Sequence, residues 1–201
     1  MTEEKSSYHH GDLRAALLGA AEKVLAETGI EGFSLRRVAR EVGVSHSAPA
    51  HHFGDTQGLL AALATEGFSR FLNAMQARQR VVETRDARAL LTASGLGYLD
   101  FAQGSPALFQ LMFGSERVDF CDQALDRAAN AAFDHLAQDI ARLRGVSPYQ
   151  DDAAMADVMA AWSMVHGFAA LLMAGRLKPV QAMDAPAREA YFTALFARVA
   201  P

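Results

Sequence analysis

Side chains that can bind an anionic polymer are concentrated between residues 34 and 53. Glu41 is the one acid between Ser34 and His52, whereas that stretch holds three arginines. Guanidinium groups bind phosphate oxygens, and hydroxyls or imidazoles bind phosphates or base edges. The residues with this chemistry are Arg36, Arg37, Arg40, Ser45, His46, Ser47, His51 and His52. Their types and spacing indicate a narrow nucleic-acid contact, with a merely solvated helix face as the alternative for the arginines.

A helix-turn-helix arrangement would position these side chains. Ser34 is placed to cap a short helix whose apolar positions alternate with the arginines, and Gly43 is placed to end it. Ser45 is a second cap candidate, and a short helix over residues 46–52 follows it and closes at Gly54. Two short helices joined by a tight glycine turn allow the second one to enter a major groove.

The rest of the chain has helical periodicity and no convincing alternating strand pattern, which predicts an all-α fold. Apolar residues recur at three- and four-residue steps from Asp12, a candidate cap, to Thr28. The polar stretch Glu83–Asp86 marks the expected module boundary. The further predicted helices cover residues 55–82, 87–103, 105–113, 120–144, 149–175 and 186–199.

The N-terminal part of the chain resembles the TetR/AcrR family of bacterial repressors. The matching segments are Tyr8–Arg14, Phe33–Ser45, His51–Gly54 and Leu59–Leu60. A further segment, Trp162–Gly167, is similar to the signature of the WHG-type C-terminal domain found in one branch of that family. The resemblance implies a three-helix helix-turn-helix module at residues 8–70 and a helical ligand-binding and dimerisation domain at residues 84–201.

The resemblance also implies a transcriptional repressor that binds double-stranded operator DNA as a homodimer and is released by a small effector. Ser45–His52 would be the recognition helix, and Arg36 and Arg37 would belong to the helix that crosses the DNA backbone. The family usually has Tyr at the position of Ala50 and Lys at that of Thr56, so two phosphate contacts are weakened here. The residues that the resemblance assigns to DNA are Arg36, Arg37, Ser45, His46, Ser47, Ala50, His51, His52 and Thr56.

Two apolar faces run along the predicted helix at residues 149–175, which therefore needs cover on more than one side. The last helix repeats this pattern, so both helices are expected to pair with their copies in a four-helix bundle across a twofold axis. One face, rich in Met and aromatic residues, is a candidate cavity for a small apolar effector with His166 or Tyr98 as polar contact; ordinary core packing is the alternative. The candidate effector residues are Phe101, Phe109, Met112, Phe113, Phe133, Met155, Met159, Trp162 and His166.

Composition limits the other classes of protein. Of the 201 residues, 51% are hydrophobic and 21% are charged, which is enough to bury a core. The net charge is −4, so local placement of arginines, and not overall charge, favours DNA. The start lacks an apolar leader, and the apolar run at 160–175 is shorter than a membrane span. The single Cys121 fits a reducing cytoplasm and is expected to be buried.

Catalytic and metal-binding patterns are missing from the sequence. No nucleophile motif, phosphate-binding glycine loop or metal-ligand spacing occurs, so no enzyme activity, cofactor or metal is expected. Five of the seven histidines fall within the first 52 residues, and their protonation in mild acid would strengthen DNA binding. A helical interaction protein with weakened DNA binding is the alternative function, because Ala50 and Thr56 lack the usual phosphate contacts.

Overall fold

The structure, a computed structural model, describes residues 10–84 and 86–198, with side chains from Leu13 onward. This part of the chain forms ten helices and no strand, so the all-α prediction is confirmed. The helices are α1 His10–Thr28, α2 Leu35–Val42, α3 Ala48–Phe53, α4 Thr56–Arg80, α5 Ala87–Gly104, α6 Pro106–Gly114, α7 Gln123–Arg144, α8 Asp152–Met173, α9 Lys178–Gln181 and α10 Ala185–Phe196. The sequence does not predict α9, a single turn with a proline at its start.

The first compact unit contains the chain up to Gly67 together with Ala107–Asp126. Its helix α1 begins at His10, ahead of the start predicted at Asp12, whose side chain lies outside the described ones. The almost fully buried apolar side chains of this unit include Leu17, Ala21, Val24, Leu25, Phe33, Val38, Leu59, Leu60, Leu63, Leu108, Leu111 and Leu125. This core supports the two short helices α2 and α3.

The second compact unit contains Phe68–Pro106 and the chain from Arg127 onward. Here α4 packs closely on α5 at Gly97, where a Cβ would come within 2.5 Å of the carbonyl oxygen of Ala74. Two helix backbones approach this closely only where a side chain is absent. Helices α7 and α8 share a cluster of fully buried side chains, Ala137, Ile140, Ala154 and Val158, and Leu91 of α5 packs against it.

Aspartate side chains determine where several of these helices begin. The carboxylate of Asp122 accepts the backbone N–H of Leu125 at 2.9 Å, so α7 begins at Gln123 and not at the predicted Phe120. Asp151 and Asp184 cap α8 and α10 in the same way. The sequence correctly predicts these helices, but it starts α7 and α8 three residues too early, ahead of the capping aspartates.

Cys121 lies on the surface, so the prediction of a buried thiol is wrong. Its segment is a series of turns between α6 and α7, and the carboxylate of Asp119 accepts the backbone N–H of Cys121 at 2.8 Å. This local turn holds the segment outside the core. The same carboxylate raises the pKa of the thiol through a side-chain hydrogen bond.

Helix α8 is long and apolar, with a mean hydropathy of 1.4 over its most apolar 18 residues. By length and composition alone it passes the test for a membrane-crossing helix, a test that core helices of soluble proteins also pass. Only 22% of that window is buried inside the chain. Two of its polar side chains have partners within the chain, since Asp157 pairs with Arg144 and His166 contacts Tyr98. The uncovered remainder of α8 is largely apolar.

Candidate nucleic-acid interface and effector site

The start and end of α2 follow the sequence prediction. Ser34 has an extended backbone, with φ of −157°, and its hydroxyl accepts the backbone N–H of Arg37 at 3.4 Å. Gly43 ends the helix in the left-handed region, with φ of 78°. The backbone N–H groups of Gly43 and Val44 both donate to the carbonyl of Ala39 at 3.0 Å. These bonds satisfy the last carbonyls of α2 and turn the chain sharply toward α3.

Helix α3 begins at Ala48, so the start predicted at His46 is wrong. The hydroxyls of Ser45 and Ser47 lie 3.1 Å apart, and Ser47 at the N-cap position makes no side-chain capping bond. Pro49 is buried in the first turn, where its missing N–H has no helical partner to lose. The three residues 45–47 therefore form the turn that precedes α3.

The turn between α3 and α4 depends on a glycine that sequence analysis missed. The backbone N–H of Gly58 donates to the carboxylate of Asp55 at 2.9 Å, which caps α4. A Cβ on Gly58 would lie 2.0 Å from the carbonyl oxygen of Phe53, the last residue of α3. Only glycine permits this approach. Its spacing of three residues from a capping aspartate is the one signal that the sequence offered.

The predicted DNA-binding side chains differ in exposure. The exposed ones are Arg36, Arg37, Ser45, His46, Ser47 and His51, and the half-buried ones are Ala50, His52 and Thr56. Glu41, the one acid in this stretch, forms an ion pair with Lys23 of α1. The hydrogen bond to Glu41 raises the pKa of Lys23. Because Lys23 neutralises Glu41, the surface around the exposed arginines is more positive than a count of charges in α2 suggests.

His52 lies beside a cleft of about 320 Å³ within the first unit, which Phe53 and Arg14 also line. The guanidinium of Arg14 lies over the Phe53 ring at 5.2 Å from its centre, a cation–π contact between α1 and the end of α3. Among the described side chains, no group of three His, Cys, Asp or Glu is placed to hold a metal ion. His9, one of the five histidines in the first 52 residues, lies outside the described residues.

His166, a candidate effector residue of the second unit, takes part in a polar contact between α5 and α8. The hydroxyl of Tyr98 and Nδ1 of His166 are 2.7 Å apart. Burial raises the pKa of Tyr98 and lowers that of His166, so at neutral pH the pair is uncharged. Trp162 lowers the pKa of Tyr98, against the larger effect of burial.

Aromatic contacts extend from this pair. The ring of Phe71 on α4 meets Tyr98 edge-on at 4.7 Å, and Phe133 on α7 meets Trp162 at 5.8 Å. Met159 and Trp162 are 40% and 36% exposed, so they lie at the surface of the single chain. Phe101 is buried near Phe71, at 5.4 Å between ring centres.

Three other candidate effector residues belong to the first unit. Phe109 and Met112 are buried there, and Phe113 packs against Phe109 at 4.9 Å between ring centres. A Cβ on Gly67 would come within 2.6 Å of the Met112 sulfur. The nine candidate effector residues are thus divided between the units, and their contact with an effector stays a prediction.

A buried polar network in the second unit was not predicted. Asp139 on α7 is 1% exposed, forms an ion pair with Arg142 and accepts a hydrogen bond from Gln79 on α4 at 2.8 Å. Nε2 of His135 lies 3.7 Å from the same carboxylate. Desolvation lowers the pKa of His135. The spacing of His135, Asp139 and Arg142 along one helix face was the available signal, whereas the contact from Gln79 is long-range.

Two protein-family models match the chain. The model described as bacterial regulatory proteins, tetR family, matches residues 17–63. The model of the tetracyclin repressor-like C-terminal domain matches residues 91–199, which is more than half of the chain. Neither description names the WHG branch, so that finer assignment stays a prediction.

Curated relatives match only part of their own length. The transcriptional repressor AcnR of Corynebacterium diphtheriae is 37% identical over 76 residues, which cover 38% of this chain and 40% of AcnR. The transcriptional regulator BetI of Burkholderia cenocepacia is 34% identical over 92 residues, which cover 46% of this chain and 47% of BetI. The chain therefore matches less than half the length of these relatives.

Solved structures match almost the whole chain. A Rhodococcus protein of unknown function is 33% identical, with a TM-score of 0.79 over 96% of this chain and 98% of that one. The TetR family regulator PfmR of Thermus thermophilus has a TM-score of 0.64 at 19% identity, over 92% and 96% of the two chains. Together with the two family models, these similarities show that the chain belongs to the TetR family of bacterial regulatory proteins.

Proposed function

We propose that this protein is a cytoplasmic transcriptional repressor that binds operator DNA as a homodimer and is released by a small, largely apolar effector. The observation that carries the proposal is the exposed face of α2 and α3. There Arg36, Arg37 and Arg40 are exposed while Lys23 neutralises the nearby Glu41. A family of regulatory proteins and relatives named as transcriptional repressors support the same function.

Contacts to DNA divide by position along the helix-turn-helix. Arg36 and Arg37 on α2 would bind phosphates, while His46 and Ser47, exposed ahead of α3, would reach base edges. None of the side chains on α3 offers the two-pronged donor that arginine presents to guanine. We therefore expect most of the affinity to come from phosphate contacts and to depend strongly on salt.

A dimer through α8 and α10 is supported by the uncovered face of α8. Leu171 is 48% exposed there, and Tyr191 of α10 is 42% exposed. Small residues recur along the uncovered face at steps of four and three: Ala156, Ala160, Ser163, Gly167, Ala170 and Ala174. A Cβ on Gly167 would meet nothing within 4 Å in the single chain. A second α8 could thus approach closely along these small residues, which makes a protein partner a better cover than lipid.

The effector is proposed to contact the second unit near Tyr98 and His166. The surrounding aromatic side chains favour an apolar molecule, and the uncharged pair offers it a polar contact. A TetR variant from Acinetobacter baumannii, 19% identical with a TM-score of 0.58, was solved in complex with minocycline. That protein shows the fold with a small molecule bound. The chemical class of the effector of this chain is inferred from its own residues and not from minocycline.

Gel shift with the DNA beside the protein's own gene tests the proposal. We expect binding with a sequence preference and a salt slope of about −0.9 per phosphate contact. Arg36→Ala and Arg37→Ala should each lower the affinity and reduce that slope by about one contact, whereas Arg127→Ala, an exposed arginine of the second unit, should change neither. Binding without any sequence preference, or none at all, would instead favour the helical interaction protein that Ala50 and Thr56 leave open.

A further inference from the structure

Two buried polar atoms, one on α5 and one on α7, have no hydrogen-bond partner among the described residues. They are the hydroxyl oxygen of Ser94 on α5 and Nε2 of His135 on α7. The two residues are only 3% and 8% exposed. Native proteins satisfy nearly all buried polar atoms with protein, water or ligand, because an unsatisfied one has lost its hydration without replacement. Each of these atoms therefore calls for a partner.

The directions of α5 and α7 follow from their side-chain contacts with α8. Leu91 of α5 packs in the cluster that contains Val158, and further along Tyr98 meets His166, so α5 and α8 run in the same direction. Helix α7 joins the same cluster near its end and places its earlier residue Phe133 against Trp162 of α8. Helices α7 and α8 thus run in opposite directions, and so do α5 and α7.

Helix geometry implies that Ser94 and His135 lie at the same level of this bundle. Nε2 of Gln79 donates to the carbonyl of Leu90 on α5 at 3.1 Å and to the carboxylate of Asp139 on α7 at 2.8 Å. Ser94 is one turn after Leu90, and His135 is one turn before Asp139. Because α5 and α7 are antiparallel, one turn along each helix leads to the same level.

The surroundings restrict the group that could bind there. Nε2 of His135 is 3.7 Å from the buried carboxylate of Asp139, so a second anion at this point would be repelled. A serine hydroxyl and an imidazole N–H can both donate to one uncharged oxygen. Leu91, one turn before Ser94 on α5, packs against the apolar cluster of α7 and α8, so the side of the site toward α8 is apolar.

We propose that Ser94 and His135 bind an uncharged carbonyl or hydroxyl oxygen of the effector. The inference rests on the proposed function and adds to it the chemical class of the ligand: an apolar ketone or alcohol rather than a carboxylic acid. These two residues extend the effector site one turn beyond the Tyr98–His166 pair.

Thermal unfolding of the full chain with 2-heptanone, 2-heptanol and heptanoate at pH 8 tests the inference. The ketone or the alcohol should raise the Tm of the unsubstituted protein by about 2 °C or more, and heptanoate should not. Ser94→Ala should remove at least half of that rise, and His135→Leu should do the same. Thr92→Val, which deletes a neighbouring hydroxyl on another face of α5, should keep it.

The inference is overturned if neither neutral probe raises the Tm, if heptanoate raises it as much, or if Ser94→Ala keeps the full rise. Without probe, Ser94→Ala should leave the Tm unchanged or slightly raised, because the deleted hydroxyl has no partner in the chain. Gel shift on the same preparations separates the two proposals. Operator binding with no probe response contradicts only the ligand class, whereas absent operator binding contradicts the proposed function itself.

Discussion

The short helices of the first unit and the long helices of the second are held in place by contacts of different range. Ser34 caps the start of α2, and the positive-φ glycines Gly43 and Gly54 end α2 and α3. In the second unit, Gln79 of α4 reaches both α5 and Asp139 of α7, sixty residues further along the chain. A local contact can be recognised from a short motif, whereas a long-range one becomes visible only when the helices are assembled. The predictions below separate the two kinds of contact.

The largest effect is expected for Gly58→Ala. Its Cβ would lie 2.0 Å from the backbone oxygen of Phe53, so the turn between α3 and α4 must shift. We expect a loss of about 3 kcal/mol in the free energy of unfolding and loss of specific operator binding. Gly19→Ala in α1, where a Cβ meets nothing within 4 Å, should instead stabilise by about 0.5–1 kcal/mol. Normal operator binding by Gly58→Ala in gel shift would contradict the local argument.

Asp139→Asn tests the long-range contacts of the second unit. The variant removes the buried charge that pairs with Arg142, and leaves Gln79 with a weaker acceptor. We expect the free energy of unfolding to fall by about 2 kcal/mol. This is below the usual range for a broken buried ion pair, because Arg142 is half exposed to solvent. Asp134→Asn, on the exposed face of the same helix, should cost much less. Chemical denaturation measures the free energy of unfolding of both variants. Equal losses would show that the buried carboxylate of Asp139 contributes no more than a surface carboxylate.

Acid should destabilise the second unit through His135, which is buried, and His166, which is half-buried. Burial lowers the pKa of His135 and of His166 below the ordinary value of 6.5, so the unfolded chain takes up protons first as the pH falls. The contribution of these two uncharged histidines to the free energy of unfolding is therefore complete above pH 6.5. It declines as the pH falls from there through their folded-state pKa. His135→Gln should flatten the dependence of Tm on pH between about 7 and 5. An unchanged slope in this variant would exclude His135 as its source.

The smallest effect is expected for the surface pair of Lys23 and Glu41. Lys23→Met should weaken operator binding roughly twofold to fivefold at low salt, because Glu41 then faces the incoming phosphates without its counter-ion. Glu41→Gln in the same chain should restore the affinity. The difference should vanish at high salt. A loss that persists there, or that Glu41→Gln fails to repair, would point to a structural defect instead.

Residues with local effects were predictable from the sequence, and the exceptions have physical causes. Ser34 and Gly43 behave as their types suggest, so the limits of α2 were predicted correctly. Ser45 and Ser47 are equally good cap residues by type, but their hydroxyls pair with each other and the recognition helix starts later. Gly58 was missed because its spacing from Asp55 indicates a helix cap but does not reveal how close the carbonyl oxygen of Phe53 lies.

In the second unit, the sequence predicted helices and apolar faces but not the polar contacts that connect them. Asp139 and His135 are polar residues within an otherwise ordinary amphipathic pattern, and their burial depends on partners from other helices. Ser94 is a small residue in an apolar helix and gave no signal at all. Hydrophobic periodicity identifies which face of a helix is inward, but it does not identify which polar groups accompany that face.

Arg78, near the end of α4, contacts two carboxylates at once. Its guanidinium donates to Asp100 of α5 at 3.1 Å and to Glu189 of α10 at 3.0 Å, and the hydrogen bond to Asp100 is the main cause that raises its pKa. Without this cation, two negative groups from different helices would face each other across the position it occupies. Arg78 is thus a counter-ion shared by two carboxylates. If a neutral residue replaced it, Asp100 of α5 and Glu189 of α10 would repel each other. The position of α10 therefore depends in part on the charge of Arg78, more than a hundred residues earlier in the chain.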